Sequence, residues 1–178
     1  AYNLLVQLTE AELAAGVVCS SAGNHAQGFA YACRSLGIRG RVYVPAKTPK
    51  QKRDRIRYHG GDFIELIVGG ATYDLAAEAA LADVARTGAT QVPPYDDLRT
   101  MAGQGTIAVE ILDHLGGEPD LVVVPVGGGG CIAGITTYLA ERTTDSAVLG
   151  IEPAGAAAMM AALAAGELVT LDHVDQFV

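Results

Sequence analysis

Four consecutive glycines, Gly127, Gly128, Gly129 and Gly130, stand between a short apolar run at residues 121–126 and a segment of helical period at residues 132–140. Glycine gives up more backbone freedom on folding than any other residue, so a row of them is kept where the main chain itself must wrap a group. The junction between a strand end and a helix start is such a place. Its first-turn N–H groups and the helix dipole favour an anion such as phosphate. The run therefore predicts a β-loop-α unit with an anion cup, and Cys131 follows it at the start of the helix.

The rest of the chain repeats this pattern. Residues 17–19, 41–44, 63–68 and 148–151 are short and rich in β-formers, whereas residues 26–36, 73–86 and 108–115 carry apolar side chains at a spacing near 3.6. Such alternation predicts an α/β fold of mostly parallel sheets with helices on both faces. Thr48-Pro49 reads as the cap and first turn of a further helix, which Gly60-Gly61 would end. Lys50, Lys52, Arg53, Arg55 and Arg57 on that helix read as a solvated face. Between residues 91 and 103, Pro93-Pro94-Tyr95-Asp96-Asp97 signals a loop, and the boundary between two lobes is placed there, at residues 1–99 and 100–178.

A second strand-to-helix loop, Ser20-Ser21-Ala22-Gly23-Asn24-His25-Ala26-Gln27-Gly28, has the same anion-binding character, with serine hydroxyls as added donors. A competing reading takes Gly128, Gly130 and Ala133 as a dinucleotide fingerprint, with Glu152 about 20 residues on for the ribose, and predicts a Rossmann-like NAD module. It leaves the first loop unexplained.

The formal net charge of −8 argues against nucleic acid or an anionic membrane as a primary partner and favours a small molecule. No run approaches the ~18 apolar residues of a membrane span. Cys19, Cys33 and Cys131 suggest packing in a reducing cytoplasm, with neither an even set nor a Cys-x-x-Cys pair. His59, His114 and His173 are too scattered to predict a metal site. The chain opens on Ala1-Tyr2-Asn3 and stops at Phe177-Val178, and it reads as a piece of a longer protein, incomplete at both ends.

Taken in order, Ser21-Ala22-Gly23-Asn24-His25-Ala26-Gln27, Tyr43-Val44-Pro45, Thr48-Pro49-x-x-Lys52, Gly103-Gln104-Gly105-Thr106 and the glycine run resemble the fold-type II pyridoxal-phosphate enzymes, the tryptophan synthase β-like fold. Within that group they are most similar to the threonine/serine dehydratases. The resemblance implies a small lobe carrying the Asn24 loop (1–99) and part of a large lobe carrying the glycine loop (100–178). It implies pyridoxal 5'-phosphate (PLP) as cofactor, with Asn24 on the ring hydroxyl and Gly127, Gly128, Gly129, Gly130 and Cys131 on the phosphate. Ser21, Ala22, Gly23 and His25, with Gln104 and Gly105, would receive the substrate carboxylate. The implied reaction is dehydration and deamination of L-threonine to 2-oxobutanoate, or of L-serine to pyruvate, with release of ammonia, as in isoleucine biosynthesis. A homodimer or homotetramer in the cytoplasm is implied as well.

The chain also departs from the family. The Schiff-base lysine of the resemblance falls just upstream of Ala1, so no catalytic residue is expected within the chain, and the chain alone is expected to be inactive. Ala22 stands where the related serine racemases place a second serine, which favours elimination over racemisation. Glu152-Pro153 is not followed by a second acidic residue, so no metal is expected there. His25 reads as a local hydrogen-bonding residue before a proton carrier.

Overall fold

Parallel strands cannot be joined by a tight hairpin and need a crossover, which helices supply throughout this chain. The computed structural model describes residues 1–175. In it β1 (Val17–Ser20), β2 (Gly40–Val44), β3 (Ile64–Val68) and β4 (Thr90–Gln91) form one sheet in the order β3-β2-β1-β4. A second sheet pairs β5 (Leu121–Pro125) with β6 (Ala147–Ile151), and every pairing is parallel. The helices are α1 (Tyr2–Leu5), α2 (Glu10–Ala15), α3 (Asn24–Leu36), α4 (Lys50–Gly60), α5 (Tyr73–Thr87), α6 (Leu98–Leu115), α7 (Gly130–Arg142) and α8 (Ala158–Ala165). The chain divides into two compact units, Ala1–Pro94 and the part from Tyr95 onward.

In the first unit all of β1 is buried, as a central strand covered on both faces must be. On one side Phe29, Ala30 and Cys33 of α3 pack with Leu4, Leu5, Val17, Val42, Val44 and Ile56. On the other, Val18 packs with Ala80 and Ala89. Burial pushes the Cys33 thiol up to about 12 and that of Cys19 further, so both are inert packing residues at neutral pH. A buried carboxylate pins α5 to the sheet: Asp83 accepts from Arg41 of β2 and, at 2.6 Å, from Arg86. From β1 the sheet grows through β2 to β3 in one direction, and β4 returns to the opposite side of β1. The reversal is a topological switch point, where open α/β sheets bind ligands beyond the carboxyl ends of their strands.

In the second unit Val122 and Val124 of β5 point into a core with Ala108, Ile135 and Leu139 from α6 and α7. Their neighbours Leu121 and Val123 are about half exposed, as are Leu149 and Ile151 of β6. The α6–α7 crossing is close, because a Cβ on Gly134 would overlap the Met101 carbonyl of α6.

Three details differ from the sequence reading. The helix expected from residue 108 begins at Leu98, capped by Asp97, whose carboxylate accepts from the Arg99 and Thr100 N–H groups at 2.7 and 3.3 Å. Pro49, not Thr48, occupies the N-cap position of α4, and the Thr48 hydroxyl is buried with no hydrogen-bond partner among the described residues. Phe63 belongs to a 3-10 turn, Gly61–Phe63, ahead of β3. The chain ending at Phe177-Val178 lies outside the described residues. Among the described residues no helix is long and apolar enough to cross a membrane.

Candidate functional site

The first loop leaves β1 at Ser20 and enters α3 at Asn24, beside the switch point. It is folded on its own polar groups. The Gly23 N–H donates to Ser21 Oγ at 3.2 Å, and the Ser21 N–H donates to the Tyr43 carbonyl at 3.3 Å. Gly23 holds the N-cap position, and no side chain caps the helix. The first-turn N–H groups of α3 thus keep their donor capacity for an anion. Ser21, Ala22, Gly23 and His25 are half-buried and Asn24 is exposed. Ser20 Oγ, just before the loop, is buried without a hydrogen-bond partner among the described residues.

His25 Nε2 lies 3.0 Å from the Val92 carbonyl oxygen. Burial pushes the imidazole down to about 4, and the Val92 carbonyl offsets only part of that fall. The ring is neutral at neutral pH, and Nε2–H is the donor to Val92. Its side chain is a local hydrogen-bonding group that ties the start of α3 to the residue after β4.

The second loop runs from β5 to α7, and its four glycines are glycine for different reasons. Gly129 holds the N-cap position of α7 at φ 83, a conformation that costs an L side chain strain. A Cβ on Gly128 would overlap the Tyr95 ring, and one on Gly130 would stand 2.8 Å from Tyr95 Cα. Gly127 has neither reason: its φ is not positive and nothing lies within 4 Å of its missing Cβ. The loop therefore presents open backbone at Gly127 and an uncapped helix N-terminus behind it. Cys131 is half-buried against the core of the second unit, and burial raises its thiol.

Gln104 and Gly105 lie inside α6. Gly105 is buried, with its missing Cβ 3.0 Å from the Gly134 carbonyl oxygen of α7, and Gln104 is half-buried. Two residues carry more than sequence reasoning gave them. Tyr95, read as part of a loop, covers the glycine run, and the close approach of its ring had no signal along the chain. Glu152 accepts from the Met159 and Met160 N–H groups at 2.9 and 2.8 Å, capping α8 with both carboxylate oxygens. The dinucleotide reading needed that carboxylate for a ribose. Among the described residues no group of three or more His, Cys, Asp or Glu is placed to hold a metal ion.

These features fit pyridoxal phosphate. Open backbone at Gly127 and the uncapped N-terminus of α7 suit a phosphate. A parallel α/β scaffold with a glycine loop of this kind is what a protein of the PLP class needs to hold its phosphate. The chain matches the family described as "Pyridoxal-phosphate dependent enzyme" over residues 1–178, and it belongs to that family. It is 86% identical over 178 residues to the L-threonine dehydratase biosynthetic IlvA of Mycobacterium tuberculosis, covering 100% of this chain and 42% of that protein. It is 55% identical over 181 residues to the protein of the same name from Corynebacterium glutamicum, again 42% of that protein. Among solved structures, the processed form of threonine deaminase isoform 2 from Solanum lycopersicum matches with a TM-score of 0.91 and 40% identity, over 99% of this chain and 50% of that one. Maize serine racemase matches with a TM-score of 0.87 and 30% identity, over 98% of this chain and 52% of that one. The chain spans less than half the length of these curated relatives.

Proposed function

We propose that this chain forms part of a PLP-dependent ammonia-lyase that converts L-threonine to 2-oxobutanoate and ammonia, and L-serine to pyruvate, within isoleucine biosynthesis. The observation that carries the reading is the glycine cup with Gly127 open, in a chain 83% to 86% identical along its whole length to proteins named as biosynthetic threonine dehydratases. When bound, PLP supplies an electron sink that makes the α-proton of an amino acid removable and so lets the β-hydroxyl leave.

The chain's own residues bind and orient. The N–H groups of Gly127, Gly128, Gly129, Gly130 and Cys131 are assigned to the phosphate, and the Asn24 amide to the ring hydroxyl. Ser21, Ala22, Gly23 and His25, at the uncapped start of α3, are assigned to the substrate carboxylate. Gln104 is assigned to the substrate as well, and Gly105 acts through its contact with α7, which fixes where Gln104 stands. Ala22 has no group able to carry a proton, which favours elimination over racemisation. The first unit then corresponds to the small lobe and the second to part of the large lobe. A homodimer or homotetramer in the cytoplasm completes the proposal.

The chain's three lysines, Lys47, Lys50 and Lys52, are exposed in the turn after β2 and on α4. None is assigned the covalent link to the cofactor, so this chain alone is expected to hold PLP without turning over threonine. The test is to add PLP, follow visible absorbance, and then assay for 2-oxobutanoate after adding threonine. PLP uptake that borohydride does not make permanent, with no 2-oxo acid formed, is the expected result. Substantial 2-oxobutanoate from the purified chain overturns the lysine assignment. Binding of NAD by calorimetry without any uptake of PLP overturns the cofactor.

A further inference from the structure

We propose that Tyr95 is a positioning residue for the phosphate loop: lying against Gly128 and Gly130, it holds the glycine run in the shape that leaves Gly127 open to the phosphate. The inference rests on the cofactor reading above and deepens it.

Four glycines in a row have more conformations to lose than any other four residues, so an isolated loop of this kind would have to be ordered by its ligand. Ordering at the moment of binding weakens affinity, and a loop shaped beforehand avoids that loss. Something in the protein must then hold the loop, and the contacts of Gly128 and Gly130 identify what. A Cβ on Gly128 would fall on the Tyr95 ring at Cγ, Cδ1 and Cε1, and one on Gly130 would stand 2.8 to 2.9 Å from Tyr95 Cα, Cβ and carbonyl oxygen. Ring and main chain of one residue therefore press on alternate glycines. Neither glycine could carry a side chain without displacing it.

Tyr95 is itself anchored. Its carbonyl accepts from the Asp97 N–H at 3.1 Å, and Asp97 caps α6. α6 crosses α7 at Gly105 and Gly134, and α7 begins at the glycine run. The contacts form a closed circuit from the turn through α6 and α7 back to the loop that Tyr95 covers. Tyr95 is 43% exposed, and the ring atoms beside Gly128 are Cγ, Cδ1 and Cε1, so what the side chain offers the loop is a flat plate away from its hydroxyl.

The full chain carrying Tyr95→Ala and Tyr95→Phe tests this, with Tyr95→Leu as a second bulky replacement should the alanine variant fail to fold. Two quantities are read: hydrogen exchange of the amides at residues 127–131, and calorimetric affinity for PLP against pyridoxal, which lacks the phosphate. Tyr95→Ala should exchange faster at those amides and lose about tenfold in PLP affinity with pyridoxal unchanged. Tyr95→Phe should match the wild type in both, and Tyr95→Leu should fall between. Unchanged exchange in the alanine variant overturns the proposal, as does an equal loss of PLP and pyridoxal affinity. If the wild-type chain takes up no PLP, the cofactor reading fails, and the exchange arm still decides whether Tyr95 orders the loop.

Discussion

The His25 imidazole and the Val92 carbonyl, 3.0 Å apart, join the start of α3 to the chain leaving β4. The Val92 N–H in turn donates to the Val18 carbonyl of β1 at 2.8 Å. The two elements flanking the switch point are thereby tied on the side where the first anion loop emerges. Burial keeps the ring neutral against the pull of the Val92 carbonyl, and Nε2–H remains the donor in that form.

Folding stability should therefore depend on pH through His25. Its folded value is about 4, below the ~6.5 of an unfolded imidazole, so between these values the unfolded chain binds more protons. Stability is full above ~6.5 and falls as pH drops toward 4, by on the order of 3 kcal/mol. His25→Gln keeps a donor for Val92 and removes the titration. Urea unfolding at a series of pH values should show the slope in the wild type and a flatter one in the variant, and equal slopes would refute the assignment.

Asp83 titrates in the opposite sense. Burial alone would raise its carboxyl, but hydrogen bonds from Arg41 and Tyr43 and the charges of Arg41 and Arg86 hold it below the usual value. A depressed folded value contributes stability that is present above the unfolded ~3.9 and lost as pH falls through the folded one. Asp83→Asn leaves Arg41 facing a neutral partner and should cost roughly 3 kcal/mol at pH 7. The deficit should shrink as pH falls below ~3.9, where the unfolded wild-type carboxylate takes up a proton first. Denaturant midpoints at pH 7 and pH 3 measure both, and an equal deficit at the two would exclude the ion pair as its source.

The elements that were legible in the sequence are those whose burial leaves a linear pattern. The β1 and β5 runs announce themselves as unbroken apolar stretches, of which β1 buries every residue and β5 alternate ones, and α3 announces itself by the spacing of its buried face. α6 was read ten residues short because the loop signal of Pro93-Pro94-Tyr95-Asp96-Asp97 was extended to residue 103, over the first turns of the helix. Gly105 is there because α7 comes close, a tertiary reason that a local pattern cannot carry. β4 spans two residues, Thr90–Gln91, too few for any alternation to register. The position of both strand-to-helix loops was readable, since a strand end, glycines and a helix start are adjacent along the chain. The separate causes of the four glycines were not, because Tyr95 reaches them only in the folded unit. Glu152 was legible as an acidic residue at a strand end, yet its hydrogen bonds go to N–H groups seven and eight residues further on.

That capping contact gives a local prediction. Glu152→Ala removes both acceptors from the first turn of α8 and should cost about 1 kcal/mol, the usual loss for a deleted helix cap. The change should appear as faster hydrogen exchange across Ala158–Ala165, with the affinity for PLP unaltered. Protection of α8 equal to the wild type would show that the cap contributes nothing.

The sharpest contrast lies between two glycines of one run. Gly129→Ala places a Cβ at φ 83 and within 2.6 Å of the Met159 methyl, so it must strain the backbone and move a side chain. A loss of at least about 1 kcal/mol follows, or roughly 2–4 °C in Tm for a chain of this size. Gly127→Ala does neither, since its backbone is ordinary and its surroundings are empty, and thermal unfolding should not detect it. What the added methyl does occupy is the space assigned to a phosphate oxygen, so PLP affinity should fall while pyridoxal affinity holds. A Gly127→Ala chain that melts like the wild type and binds PLP equally well would show that the open backbone at Gly127 is not where the phosphate sits.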